Sequence, residues 1–237
     1  MSADRRLRAV LLDVDFTLAR PGPLLGAAGY TDAAARHGLE LDVERYDEAR
    51  LGAFRDVERH PELDHDEEIW VRFTEDVLRG MGGDGPAVRE VALEILRGWE
   101  RHENFELYDD VLPAIAELRA HGLRLGLVSN ASRDLEAFSR HHSLDVDAWI
   151  SSGSHGKVKP SPTIFRAVLE LLDVEPEEAA MVGDQPADDV DGARALGMRA
   201  FLLDREGRYP ERDDTLASLA ELPAVLGLTG TGSRRAS

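Results

Sequence analysis

The chain has no cysteine and almost no lysine. Without thiols there is no disulfide framework, no thiolate metal site and no cysteine nucleophile. Aromatic residues make up only 6% of the 237, and no apolar run approaches the ~20 residues that would carry a helix across a bilayer. The opening MSADRRLRAV runs straight into an apolar strand without the apolar core and cleavage site of a secretory signal, so a cytoplasmic protein without a membrane partner is expected. Positive charge is scarce as well. Twenty-eight basic residues face 46 acidic ones, a formal net charge of −18. That balance excludes the basic footprint of a nucleic-acid binder, but a small anion held by a few local cations remains compatible with it. Only Lys157 and Lys159 of the basic residues are lysine, two positions apart and beside Pro160. Oligomeric state leaves no trace in the sequence.

What is present suits one sizeable core, or a core with a smaller companion: 43% hydrophobic and 31% charged residues. Residues 8–13 read as a short buried strand. From Pro21 to about Tyr108 the pattern is amphipathic and helical, over about 24–37, 43–58, 66–80 and 86–103, with HGLELD, RHPELDHD and GMGGDGP as breakers and no convincing strand. After Asp110, helices alternate with the strands LRLGLVSN, VDAWISS, AAMVGD and MRAFLLD. Such alternation predicts right-handed crossovers and a parallel sheet. A last helix is expected at about 214–226, followed by a disordered tail at 227–237. The predicted fold is α/β: a Rossmann-like core from 1–18 and 108–226, its parallel sheet covered by helices on both faces, with an all-helical cap at 19–107 inserted after strand one.

In open α/β sheets, ligands bind beyond the carboxyl ends of the strands. Strand one ends there in Asp13-Val14-Asp15-Phe16-Thr17, a later strand in Ser129-Asn130, and another in Gly183-Asp184 with Asp188 and Asp189 following. Lys159 opens the helix before that last strand. Asp13 and Asp15 alone would suit a strand-ending turn, Ser129-Asn130 a helix cap, and Gly183-Asp184 a common turn. Together, at successive strand ends, they make a cluster of acids with one hydroxyl and one lysine. Oxygen-rich acid clusters hold hard cations, and Mg²⁺ is satisfied by few carboxylates plus water and phosphate.

The segments DVDFT, LVSN, KPSPTIF and VGDQPADDVDGARALGM resemble, in order and spacing, the four motifs of the haloacid dehalogenase (HAD) superfamily, and the helical insertion resembles its C1-type cap. The resemblance covers nearly the whole chain and implies a phosphatase-like hydrolase of small phosphorylated metabolites that uses Mg²⁺. It implies Asp13 as the nucleophile that becomes an aspartyl-phosphate and Asp15 as the acid/base. Ser129, Asn130, Thr17 and Lys159 would bind the phosphoryl group, with Lys159 also steadying Asp13. Asp13, Asp184, the main-chain carbonyl of Asp15, and Asp189 as outer acid would serve the metal, with Asp188 the alternative to Asp189. Haloacid dehalogenases lack the second aspartate, so Asp15 speaks against that activity. The predicted cap holds no lysine, which removes the Schiff-base phosphonate chemistry. A phosphomutase shares the motifs, and a non-catalytic binding module is the remaining alternative. Arg20, Tyr30 and, less so, Arg36 are candidates for substrate contacts by position, whereas Trp70, Phe73 and Trp99 are expected in the cap core.

Overall fold

The computed structural model describes residues 6–228. In chain order the strands are β1 (Ala9–Leu12), β2 (Ala19–Pro21), β3 (Phe105–Leu107), β4 (Arg124–Ser129), β5 (Ala148–Ser151), β6 (Ala179–Gly183), β7 (Arg199–Leu203) and β8 (Thr215–Leu216). Six of them form one sheet in the order β5-β4-β1-β6-β7-β8, parallel throughout. The central strands are continuous apolar runs because both faces are covered. Along β1 the side chains alternate. Val10 and Leu12 join one apolar cluster with Ile115, Leu118 and Phe138, while Ala9 and Leu11 join another with Ile164, Phe165 and Val168.

The first cluster is closed by helices α5 (Val111–Ala120) and α6 (Leu135–His141); the second is closed by α8 (Pro162–Leu171), which follows the single turn α7 (Ser152–His155). Between β2 and β3 lie α1 (Ala27–Arg36), α2 (Tyr46–Arg55), α3 (Glu67–Gly80) and α4 (Ala87–Trp99), which bury a core of their own around Tyr30, Val71, Leu78, Val91 and Ile95. The α3 start is set by Asp66, whose side chain accepts the Glu68 N–H at 2.9 Å.

Two expectations need correction. The stretch from Pro21 to Tyr108 is not free of strand: β2 and β3 pair antiparallel, Ala19 opposite Leu107 and Pro21 opposite Phe105, tying the two ends of the helical insertion together. Three residues apiece, one of them proline, leave no alternation to read. Gly22 continues this ribbon by donating its N–H to Asn104 O at 2.7 Å, and a Cβ there would lie 2.9 Å from that oxygen. The single helix expected at about 214–226 is instead the edge strand β8 followed by α9 (Leu222–Val225). Leu216, Leu219, Leu222 and Leu226 have helical spacing, but Ser218 is extended (φ −150°) and caps a new turn through Ala220 N–H. The tail expectation at 229–237 lies outside the described residues. Among the described residues no helix is long and apolar enough to cross a membrane.

Candidate active site

Three parallel strand ends and one loop build the site. Asp13 leaves β1 with its N–H bonded to Val182 O of β6 at 2.9 Å. The chain then turns sharply: Phe16 takes φ +62°, Leu18 and Ala19 both donate to Val14 O, and Phe16 donates to Ala19 O at 2.7 Å. A left-handed aromatic residue is a local strain that the closed turn holds in place. The turn leaves Asp13, Asp15 and Phe16 facing one cavity.

Lys159 is the hub. Its ammonium is buried and donates to Asp13 Oδ1 (2.5 Å), Asp189 Oδ1 (2.7 Å) and Val128 O (3.1 Å). All three of its protons thus find oxygen, the only way such a group is tolerated in the interior. Burial by itself lowers the Lys159 pKa, but the Asp13 and Asp189 carboxylates outweigh it and hold the ammonium above its usual range. Asn130 secures the backbone of this residue, accepting the Lys159 N–H at 2.7 Å and donating to Lys159 O at 3.2 Å.

Asp189 reaches Lys159 from a π-helical turn, Pro186–Asp191, and also accepts the Gln185 N–H at 3.0 Å. That packing requires glycine at position 183, where a Cβ would stand 2.1 Å from an Asp189 carboxylate oxygen. Asp188, one residue earlier on the same turn, points elsewhere. It is gripped by both terminal nitrogens of Arg59, which also reaches Lys159 O, so it forms a tie to the helical insertion.

Asp13, Asp184 and Asp189 each place a carboxylate oxygen within 4.8 Å of the others. Burial and the charges of Asp13 and Asp189 push Asp184 up to about 7; burial, only partly offset by Lys159, pushes Asp189 up to about 6. Three carboxylates against one ammonium is an excess of buried negative charge, and oxygen donors of this kind suit a hard divalent cation. Gln185 and Arg208 donate to Asp184 Oδ2 at 2.6 and 3.3 Å, an incomplete relief. The residues present therefore fit Mg²⁺. The Asp15 side chain is not part of this cluster.

Asp15 is instead held by Arg133, whose terminal nitrogens contact both its oxygens at 2.8–2.9 Å. The Arg133 guanidinium stacks 3.9 Å above the Phe105 ring and is itself buried. Burial raises the Asp15 pKa against the opposing Arg133 charge, and the neighbouring Asp13 adds to the rise. A carboxyl so placed can carry a proton. Sequence reasoning missed Arg133 and Arg59, because in a chain that uses arginine almost exclusively neither stands out. Position offered the one usable hint: Arg133 follows the Ser129-Asn130 strand end by three residues.

Of the other expected residues, Ser129 lines the cavity, and its hydroxyl has no hydrogen bond among the described residues. Asn130 reaches the cavity wall, but its amide is engaged by Lys159. Thr17 is not on that wall: beyond the Phe16 turn it is fully buried, its hydroxyl without a partner. Tyr30 does line the cavity. Arg20 does not, being paired with Glu106, nor does Arg36, paired with Glu94. Trp70, Phe73 and Trp99 stand on the wall of this cavity of about 410 Å³, and Phe73 and Trp99 also pack against the cap core, where they were expected.

This geometry agrees with the comparisons to known proteins. The family model for haloacid dehalogenase-like hydrolases matches residues 7–197, and the chain belongs to that family. It is 32% identical to a phosphoserine phosphatase of Thermus thermophilus, covering 86% of this chain and 91% of the relative. A glyceraldehyde 3-phosphate phosphatase of Methanopyrus kandleri is 30% identical over 88% of this chain and 90% of its own length. Among solved structures, a HAD phosphatase from Thermococcus onnurineus superposes with a TM-score of 0.64 at 28% identity, covering 93% of this chain and 98% of that one.

Proposed function

We propose that this HAD-family phosphatase hydrolyses a small phosphorylated metabolite with the help of Mg²⁺, through an aspartyl-phosphate on Asp13. The observation that supports this most is the Asp13–Lys159–Asp189 chain at the cavity floor, with Asp15, two residues after Asp13, on a separate cation. Two carboxylates two residues apart are thus given different environments, which is how one becomes the nucleophile and the other the proton carrier.

In this reading an Asp13 oxygen attacks phosphorus as the ester bond breaks, and Asp15 protonates the departing oxygen. Asp15 then takes a proton from water as it attacks the phosphoaspartyl group, releasing phosphate and restoring Asp13. Lys159 neutralises charge on the transferring group, and Asp189 holds Lys159 in place. The Ser129 hydroxyl, free of protein partners, donates to a phosphoryl oxygen. Asp13, Asp184 and the main-chain carbonyl of Asp15 would hold Mg²⁺, which when bound supplies further neutralisation of the phosphoryl oxygens. Residues 19–107 serve as a cap over the leaving group, on a core made of 1–18 and 108–226.

The test is phosphate release from 4-nitrophenyl phosphate. Activity is expected with Mg²⁺ and not in chelator, and Asp13→Asn should lower it by at least about 10³-fold with an unchanged melting temperature, because a nucleophile's removal forfeits most of the catalysis. Normal turnover by that variant overturns the reading. Nitrophenol released without free phosphate would favour transfer over hydrolysis.

A further inference from the structure

The cap arginines are almost all accounted for. Arg36 pairs with Glu94, Arg79 with Glu75 and Asp76, Arg89 with Glu68 and Glu75, Arg101 with Glu103, and Arg59 with Asp188. Of those between 19 and 107 without an ion pair, Arg45, Arg55, Arg72 and Arg97 are exposed and need none. Arg50 is different. It is half-buried, it lines the cavity, and it has no hydrogen bond or ion pair among the described residues. No ring lies beneath it as a substitute partner, and Asp47, one turn earlier on the same helix, is not within ion-pair distance. Keeping a guanidinium partly out of water with nothing to pair it is a standing cost, one that a bound anion would remove.

The surroundings describe the rest of such a ligand. Tyr46, Arg50 and Phe54 recur every four residues along α2, so one stripe of that helix faces the cavity. Tyr30 meets Tyr46 edge-to-face at 5.2 Å, and Trp70 meets Phe73 at 5.8 Å. Phe16, held at its left-handed φ beside the reacting carboxylates, contributes a further ring. Arg59, four residues past the end of α2, rests on Asp188 of the floor, whereas Arg50 stands more than one helical turn back from that end. The reacting carboxylates and the lone guanidinium thus line one cavity with aromatic walls.

We infer that the substrate is a phosphomonoester whose leaving group has a flat, apolar body bearing a second anion, a carboxylate, and that Arg50 recognises that carboxylate. This rests on the phosphatase reading and adds to it the class of leaving group. An Arg–carboxylate pair in a partly desolvated site contributes roughly 10–100-fold to binding.

The experiment uses the full-length enzyme with Mg²⁺ and a set of aryl phosphates carrying a carboxylate directly on the ring or on one- or two-carbon arms, each beside its isosteric carboxamide. At one reach or more, the carboxylate should exceed its amide by about tenfold or more in kcat/KM, the scale of one charged hydrogen-bonded pair. In Arg50→Gln that ratio should collapse to about 2 or less, and Arg50→Lys should restore part of it, with melting temperatures checking the fold of both. Equal turnover of acid and amide at every reach overturns the inference. So does a preference that survives Arg50→Gln, or a loss that falls on acid and amide alike, which would assign Arg50 to the phosphate end. An ammonium-bearing analogue preferred over both would assign recognition to Asp47 and also overturn it. If no aryl phosphate is hydrolysed while an aliphatic phosphomonoester is, this inference fails and the phosphatase reading stands; phosphate release from neither overturns both.

Discussion

The floor and the walls of the cavity are built on opposite plans. On the floor the charged groups fix one another in place: Lys159 has three oxygen partners, Asp15 is gripped by Arg133, and Asp189 is wedged against Gly183. On the walls the side chains are mainly aromatic, and the half-buried Arg50 has no ion pair or side-chain hydrogen bond among the described residues. Strand ends of a parallel sheet fix positions to a fraction of an ångström, because each backbone is hydrogen-bonded on both sides. Helix faces offer area and shape instead. The first plan suits chemistry that must be preorganised, and the second suits recognition of a particular molecule.

The largest effect should come from disturbing the floor without removing its charge. Arginine is this chain's default cation, yet the buried position is lysine. A compact ammonium can place three donors on Asp13, Asp189 and Val128 O, whereas a planar guanidinium must displace at least one of them. Lys159→Arg is therefore expected to lose roughly 10²–10³ in kcat, the scale of one preorganised transition-state donor. The change should lie in kcat rather than KM. Near-normal turnover would show that only charge matters there.

How much of this was legible beforehand follows the same division. Most floor residues announced themselves through strand-end motifs: a carboxylate pair after an apolar run, Ser129-Asn130 after another, Gly183-Asp184 after a third. The sheet was legible for the same reason, through repeated apolar runs separated by helices of crossover length. The resemblance favoured Asp189 over Asp188 without deciding it, since both share one π-helical turn and only its geometry aims them apart. Arg133 and Arg59 were hidden by the abundance of arginine, and the β2–β3 ribbon by its brevity. Trp70, Phe73 and Trp99 had the helical spacing of core residues, and nothing in that spacing distinguishes a core-facing stripe from a cavity-facing one.

A smaller effect sharpens the account of the floor as a site of unrelieved charge. Asp184 sits at about 7 in the folded protein against 3.8 ordinarily, through burial and its acidic neighbours. The folded chain holds this proton more tightly than the unfolded one, so the contribution is fully present below about pH 4. It is lost as pH rises through 7. In metal-free protein, Asp184→Asn should therefore raise the melting temperature at pH 8 by several degrees, at about 2–4 °C per kcal/mol for a chain of this size. The gain should shrink towards pH 5. Adding Mg²⁺ at pH 8 should stabilise the parent protein and leave the variant nearly unmoved, because only a bound state gains from ligand. Equal destabilisation of the variant at both pH values would contradict this picture.

The smallest effect is expected from the other lysine, and it tests whether residue type or position makes Lys159 special. Lys157 lies two residues away on the seam between helical insertion and core, where Val158 donates to Leu63 O at 2.9 Å and His65 to Gly156 O at 3.0 Å. Its ammonium bonds Glu62 O at 2.9 Å and Asp64 at 2.5 Å, and about a third of its side chain is exposed. Here an arginine has room to turn, water can complete any contact it loses, and an exposed ion pair is worth no more than about 1 kcal/mol in any case. Lys157→Arg should leave kcat/KM within about twofold and shift the melting temperature by no more than about 2–4 °C, the equivalent of that pair. A loss comparable to that of Lys159→Arg would mean that the seam, and not the floor, is what demands a compact cation, and would reverse the comparison between the two regions.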